Sequence, residues 1–218
     1  MLAGEQTTGR FISVEGGEGA GKSTSLDHLA MRLEGAGLTV VRTREPGGTP
    51  LAEQIRALLL AGEDEPLRPM TELLLIFAAR AQHLDQVIRP ALSQGAWVLC
   101  DRFTDATFAY QGAARKLGAE PVRRLAELVH PGLWPDLTLY FDIDPVKGME
   151  RVRGRGTPDR FEQESMQFFT IVRDCYLARA AAEPHRFRVI DAGQSIARVR
   201  ADLDLVLDRF LSIQVPPA

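Results

Sequence analysis

The chain of 218 residues contains no asparagine, and its only lysines are Lys22, Lys116 and Lys147. Guanine-specific GTPases read their base with an Asn-Lys-x-Asp element, which a chain without asparagine cannot carry in its usual form. Arginine therefore supplies nearly all the positive charge, and the lysine inside a glycine-rich stretch, Lys22, stands out. A net charge of −3 argues against a sequence-independent nucleic-acid binder, which needs a basic surplus to displace counterions. A DNA-repair or helicase ATPase would want a basic track with exposed aromatics, and the mild acidity gives no sign of one. Two cysteines, Cys100 and Cys175, make neither a disulfide framework nor a metal pattern and read as reduced thiols. No run reaches the roughly 18 apolar residues of a membrane span, and "MLAGEQTTGR" has no apolar signal core. A soluble, cytoplasmic protein without membrane or nucleic-acid partners is expected.

What is present is alternation. Strand-like runs occur at "RFISVEG" (10–16), "LTVVRTR" (38–44), "AWVLCD" (96–101), "DLTLYFDI" (136–143) and "RFRVID" (186–191). Between them lie helical patterns: one from Lys22 with Leu26, Leu29, Ala30 and Leu33 on one face, and "LAEQIRALLLAG" ending in a glycine stop. A long helix is expected over about 70–94, an arginine-rich loop over 153–160, and helices over 160–182 and at the end of the chain. Short buried strands separated by helices imply βαβ units: an α/β fold with a parallel sheet covered on both faces. Ligands of such folds bind beyond the carboxyl ends of the strands. That rule gathers the glycine turn, "EPGGTP", "DRF" and the arginine-rich loop around one crevice.

Residues 16–23 fit G-x-x-x-x-G-K-[ST], after a strand and before a helix, which is the context a phosphate-binding loop requires. Backbone N–H groups of Gly16, Gly17, Glu18, Gly19, Ala20 and Gly21 can turn toward phosphate, aided by the positive end of the following helix. Lys22 reaches the terminal phosphates, while Ser23, followed by Thr24, offers a hydroxyl to Mg²⁺. Glu18 is either a solvent-facing residue or a carboxylate placed to meet a sugar hydroxyl or a metal-bound water. At the end of "VLCDRF", Asp101 is either a strand-end ion-pair partner or an acid that holds Mg²⁺ through water. The neighbouring Arg102 offers a bidentate fork for phosphate. Arg80 follows Ile76 and Phe77 by four and three positions and precedes Leu84 by four. It therefore falls in an apolar helical stripe, where a guanidinium must be paired or must snorkel from the stripe's edge.

"EGGEGAGKST", "TREPGGTPLAEQIRALLL", "FAARAQHL", "DRFTDATFAYQG", "PDLTLYFDIDP" and "RGRGTPDRFEQES" occur in that order. Together they resemble bacterial thymidylate kinases, P-loop nucleoside monophosphate kinases, from about residue 10 to 192. The resemblance implies one domain over 1–218: a three-layer P-loop NTPase fold with a five-stranded parallel sheet flanked by helices and a small lid at about 150–162. It also implies a homodimer, ATP and Mg²⁺, and dTMP as acceptor. Arg80 would contact the base, Arg102 and Arg56 the acceptor phosphate, and Pro46 would shape the wall. Thr107 and Gln111 would face the thymine, and Tyr110 would crowd the position of a ribose 2′-hydroxyl. The family usually has phenylalanine four residues before the arginine matching Arg80. Here that position is Ile76, with Phe77 about 100° around the helix. Ile76 is therefore expected to touch the base face.

The glycine turn contains no arginine, so the resemblance is to the branch that supplies catalytic arginine from the lid. Arg155 is the first choice and Arg160 or Arg151 the second, with Arg153 on a solvated face. The rival readings are a kinase for another nucleoside monophosphate and a non-catalytic ATP-binding module. The latter is disfavoured because Lys22, Asp101 and the lid arginines are all present. Arg155→Ala is expected to lower kcat by a few orders of magnitude, the scale of an arginine finger, with a smaller effect on KM. Near-normal turnover in steady-state assays would remove that assignment.

Overall fold

The computed structural model describes residues 9–61, 65–153 and 159–214. The expected glycine stop at Gly62 and, of the expected lid, Gly154, Arg155 and Gly156 lie outside them. Five parallel strands, β1 (Phe11–Gly16), β2 (Val40–Arg44), β3 (Trp97–Asp101), β4 (Leu137–Asp142) and β5 (Phe187–Asp191), form one sheet in the order β2-β3-β1-β4-β5. All five expected strands are present, each shorter by a residue or two. β1 is central and buried along its whole length, its two polar side chains, Ser13 and Glu15, included. In register, Asp101 lies opposite both Val14 and Arg44. The carboxyl ends of β1, β2 and β3 therefore finish side by side, where the sequence motifs are strung.

On one face α1 (Lys22–Gly35) and α9 (Ile196–Gln214) pack their leucines against Val14, Leu99 and Leu139. The opposite face carries α2 (Pro50–Leu60), α3 (Pro69–His83), α4 (Arg89–Ser93), α5 (Thr104–Thr107), α6 (Ala119–Val129) and α8 (Met166–Ala182), with α7 (Pro145–Val152) beside the glycine turn. Thr49 caps α2 through its hydroxyl, which accepts from the Ala52 N–H at 3.2 Å, and Pro50 takes the first turn.

The expected helix over 70–94 is continuous in outline but widens to π geometry over Leu84–Ile88. Pro90, having no N–H, cannot complete the α-helical ladder just beyond it. A second π stretch, Phe108–Ala114, carries Tyr110 and Gln111. The helix expected from 160 begins at Met166. Asp159 Oδ1 accepts from the N–H groups of Phe161 and Glu162 at 2.8 and 2.9 Å, holding a turn there, and Ser165 caps the helix proper. α7 ends at Val152, so the helix that would place Arg151 and Arg155 on one face stops short.

Two close approaches fix the site's surroundings. A Cβ on Gly19 would lie 2.0 Å from the Gly148 carbonyl oxygen, so the glycine turn packs backbone to backbone on α7. Behind the turn, Asp105 is fully buried and receives Arg186 at 2.7 and 2.9 Å and Arg179 at 2.7 Å, tying α5 to α8 and β5. Burial alone would raise the Asp105 carboxyl, but these two guanidiniums hold it below its usual value. Among the described residues no helix is long and apolar enough to cross a membrane.

Candidate active site

The glycine turn adopts backbone that only glycine enters freely: Gly19 and Gly21 have φ of 69° and 81°. α1 starts immediately after it with no side-chain cap and no acidic residue in its first turn. Its positive end is thus left for an anion. Lys22 Nζ donates to the carbonyls of Gly16 and Gly17 at 3.1 and 3.0 Å, folded across the mouth of the turn. Burial, with Arg102 nearby, lowers its pKa. Ser23 and Asp101 line one cavity of about 440 Å³, whereas Thr24 is exposed on α1 and Ala20 is buried under the turn. Asp101 Oδ1 is buried without a hydrogen-bond partner among the described residues. That donor set, one hydroxyl and one uncommitted carboxylate oxygen, fits a hard cation that keeps most of its water.

A second cavity of about 120 Å³ is bordered by Glu18. Pro46, Arg56, Ile76 and Arg80 form one wall, and Arg102, Thr107, Tyr110 and Gln111 the other. All nine residues expected at an acceptor thus border one space. Ile76 faces it, while Phe77 is 2% exposed, does not line it, and stacks on His130 with ring centroids 6.4 Å apart.

Arg80 is 1% exposed. Its Nε donates to Glu45 Oε2 at 2.6 Å and its Nη2 to Thr107 Oγ1 at 2.9 Å, while Nη1 is buried with no partner among the described residues. Glu45 Oε1 also meets His83 Nδ1 at 3.0 Å. Burial alone would raise the Glu45 carboxyl, but Arg80 and His83 outweigh it and hold it low.

Arg102 sits in the left-handed region with φ of 69°. Its guanidinium doubles back to the Gly16 carbonyl at 2.8 Å and Glu18 Oε1 at 2.7 Å, over the Tyr110 ring at 4.9 Å. The Tyr110 hydroxyl donates to the same Glu18 oxygen at 3.1 Å. Burial would raise Glu18, but Arg102 and Lys22 keep it below its usual value. Arg56 Nη1 donates to the Pro46 carbonyl at 3.0 Å.

A family model described as "Thymidylate kinase" matches residues 14–203. The chain is 58% identical to a thymidylate kinase of Ectopseudomonas mendocina over 94% of its own length and 97% of that relative. It is 54% identical to one of Teredinibacter turnerae, over 94% of itself and all of that relative. Its fold superposes on the crystal structure of thymidylate kinase from Ehrlichia chaffeensis with a TM-score of 0.74 at 34% identity, covering 92% and 98% of the two chains. The chain belongs to the thymidylate kinase family.

Within this thymidylate kinase family member, the arginines expected around a lid part company. Arg155 lies outside the described residues. Arg151 Nη1 donates to the Ala192 carbonyl at 2.9 Å and reaches the Gly19 carbonyl at 3.4 Å, beside the glycine turn; Arg153 is exposed. Arg160, expected as a second catalytic arginine, does not face the turn. Its Nε donates to the Leu59 carbonyl at 2.9 Å and its Nη1 lies 2.7 Å from Glu72 Oε2, because the turn set by Asp159 directs it onto α2 and α3.

Three buried carboxylates escape sequence reasoning. Glu45, inside "REPGGT", answers the counter-charge that Arg80 requires. Glu72 lies eight residues before Arg80 on the same helical face, a spacing that marks it once Arg80 is placed. Glu15, in the strand, carried no such signal. It accepts from the Phe103 N–H and the Tyr176 hydroxyl, both at 2.7 Å.

Because Glu45 holds its proton less tightly when folded than when unfolded, its contribution is complete above its ordinary value of 4.5. It is lost as pH falls through the lower folded value. Glu45→Gln is therefore expected to be destabilised by roughly 3–5 kcal/mol near neutrality, with the gap to wild type closing in acid. Urea titrations across pH that show a constant gap would contradict this.

Proposed function

We propose that the chain transfers the terminal phosphoryl group of ATP to dTMP, giving ADP and dTDP for dTTP synthesis. The observation that carries this reading is Arg102, whose one guanidinium bonds to Gly16 and Glu18 of the glycine turn while it lines the acceptor cavity. A group held there lies at the junction of two anion-binding spaces.

In this reading ATP lies in the turn, cradled by the backbone of Gly16 through Gly21 and by the α1 terminus, with Lys22 leaving its carbonyl partners for the β- and γ-phosphates. Ser23 and Asp101 would hold Mg²⁺, which supplies charge neutralisation between the phosphates. A dTMP phosphate oxygen, positioned by Arg102 and Arg56, attacks the γ-phosphorus. A P–O bond forms to dTMP as the bond to ADP breaks, and the electron pair of the broken bond stays on the ADP β-phosphate oxygen. The chain's task is positioning and electrostatic stabilisation. Arg80 Nη1 offers a donor to a ring carbonyl, Ile76 packs on the ring, Thr107 and Gln111 face its edge, and Tyr110 sits under the sugar. Arg155 is the proposed catalytic arginine, with Arg151, four residues before it, beside the turn.

The test is an acceptor screen by coupled ADP release. dTMP is expected to exceed dUMP and dCMP, and Arg102→Ala to lower kcat by roughly 10²–10³-fold, the scale of one lost charge-stabilising donor. Preference for another monophosphate would hand the assignment to the rival kinase reading.

We also propose a cytoplasmic homodimer. Met70 and Leu74 on α3 and Leu128 on the adjoining α6 are 45%, 51% and 77% exposed, an apolar face on neighbouring helices. Sedimentation of the protein from the soluble cell fraction is expected to give twice the chain mass, and Leu74→Asp to give the single chain. A wild-type monomer at micromolar concentration would exclude the dimer.

A further inference from the structure

We infer that Glu72 sets the donor–acceptor sense of the acceptor pocket, and so its preference for a thymine-like ring over a cytosine-like one. The inference rests on the acceptor assignment above. Glu72, Ile76 and Arg80 follow one another at four-residue spacing, so one face of α3 presents a carboxylate, an aliphatic surface and a guanidinium in sequence. Glu72 is fully buried. Its Oε1 accepts from Gln111 Nε2 at 2.6 Å, while Arg115 Nε lies 3.3 Å away and Arg160 Nη1 lies 2.7 Å from Oε2.

A carboxylate can only accept, so the Gln111 amide must turn its nitrogen toward Glu72. Its oxygen has no hydrogen bond to any described residue, and Gln111 lines the pocket. The oxygen is thus the atom left for a ligand. Arg80, on the same helix face, contributes its unpartnered Nη1, a donor only. The pocket therefore offers one acceptor and one donor, which matches a ring N–H next to a ring carbonyl. Cytosine presents the reverse, a ring nitrogen that accepts beside an amino group that donates, and both contacts fail. A glutamine without an anchor could rotate its amide by half a turn and serve either ring. Glu72 removes that freedom without touching the ligand, which makes it a positioning residue.

Glu72 could instead matter only as an anchor for Arg115 and Arg160. The experiment separates the two roles by measuring kcat/KM and, by calorimetry, Kd for dTMP and dCMP. Glu72→Gln is expected to lower the dTMP-to-dCMP ratio at least tenfold, chiefly through KM and Kd. Glu72→Asp keeps the charge but draws the carboxylate back by one methylene from Gln111 and the arginines, and is expected to lower the ratio less; it serves if the glutamine variant does not fold. Arg115→Met, which cuts the ion pairs to Glu72 and Glu164 and leaves Gln111 anchored, is expected to lower Tm and leave the ratio unchanged. A ratio unaltered in both Glu72 variants, or altered equally in Arg115→Met, would overturn the inference. Wild-type enzyme that does not favour dTMP would instead overturn the acceptor assignment itself.

Discussion

A guanidinium withdrawn from water has to be met by a carboxylate, and this requirement is what ties the acceptor side of the site together. Arg80 on α3 reaches Glu45 beyond the end of β2, Arg102 after β3 reaches Glu18 in the glycine turn, and Arg160 reaches Glu72 on α3. In each case the two partners come from different elements, so each pair is also a distance restraint between elements. Removing one member strands a buried charge, which costs far more than the net worth of the pair. The geometry is therefore held by the penalty for breaking it.

The sheet makes these pairings reachable. Parallel strands in register bring β1, β2 and β3 to an end at one level, and backbone bonds stitch the segments that follow. The Glu45 N–H donates to the Asp101 carbonyl, and the Arg102 N–H to the Val14 carbonyl, each at 2.9 Å. Residues about 35, 60 and 85 positions apart in the chain thus converge through the ordinary crossover logic of a βαβ fold. Helix α7 closes the other side because Gly19 and Gly148 let two backbones touch.

This explains how much the sequence discloses. Short runs rich in β-branched and aromatic residues between helical patterns made the five strands and their parallel arrangement legible, even though β2 and β5 at the sheet edges are partly exposed. Arg80 was legible as a cation out of place, yet its partner was not, because Glu45 becomes adjacent only once β2 and α3 are packed. Periodicity also missed the π turns at Leu84–Ile88 and Phe108–Ala114, since both patterns remain amphipathic while the hydrogen bonding shifts by one residue. Arg160 was misplaced for a local reason: Asp159 and Ser165 each offer a cap, and the cap at Ser165 starts the helix. Motif spacing identified which residues surround the cavity. It also placed Ile76 rather than Phe77 toward the cavity, but it gave no sign that Phe77 stacks on His130 instead.

The constraint reaches behind the pocket as well. Arg102 occupies a left-handed backbone conformation that costs a non-glycine residue about 1–3 kcal/mol, and it doubles its side chain back over the turn from there. Something must hold that backbone. The Phe103 N–H donates to Glu15, the Arg102 N–H to β1, and the Cys100 thiol to the Arg102 carbonyl at 3.1 Å. Peptide groups on both sides of the strained residue are thus pinned from two strands. Glu15 bears the consequence: burial, with Asp105 close by, pushes its carboxyl up to about 8, although Tyr176, Arg102 and Phe103 pull against that. An acidic side chain deep in the central strand thus fixes the peptide next to the phosphate-binding arginine, and its carboxyl oxygen accepts that bond whether or not it carries a proton.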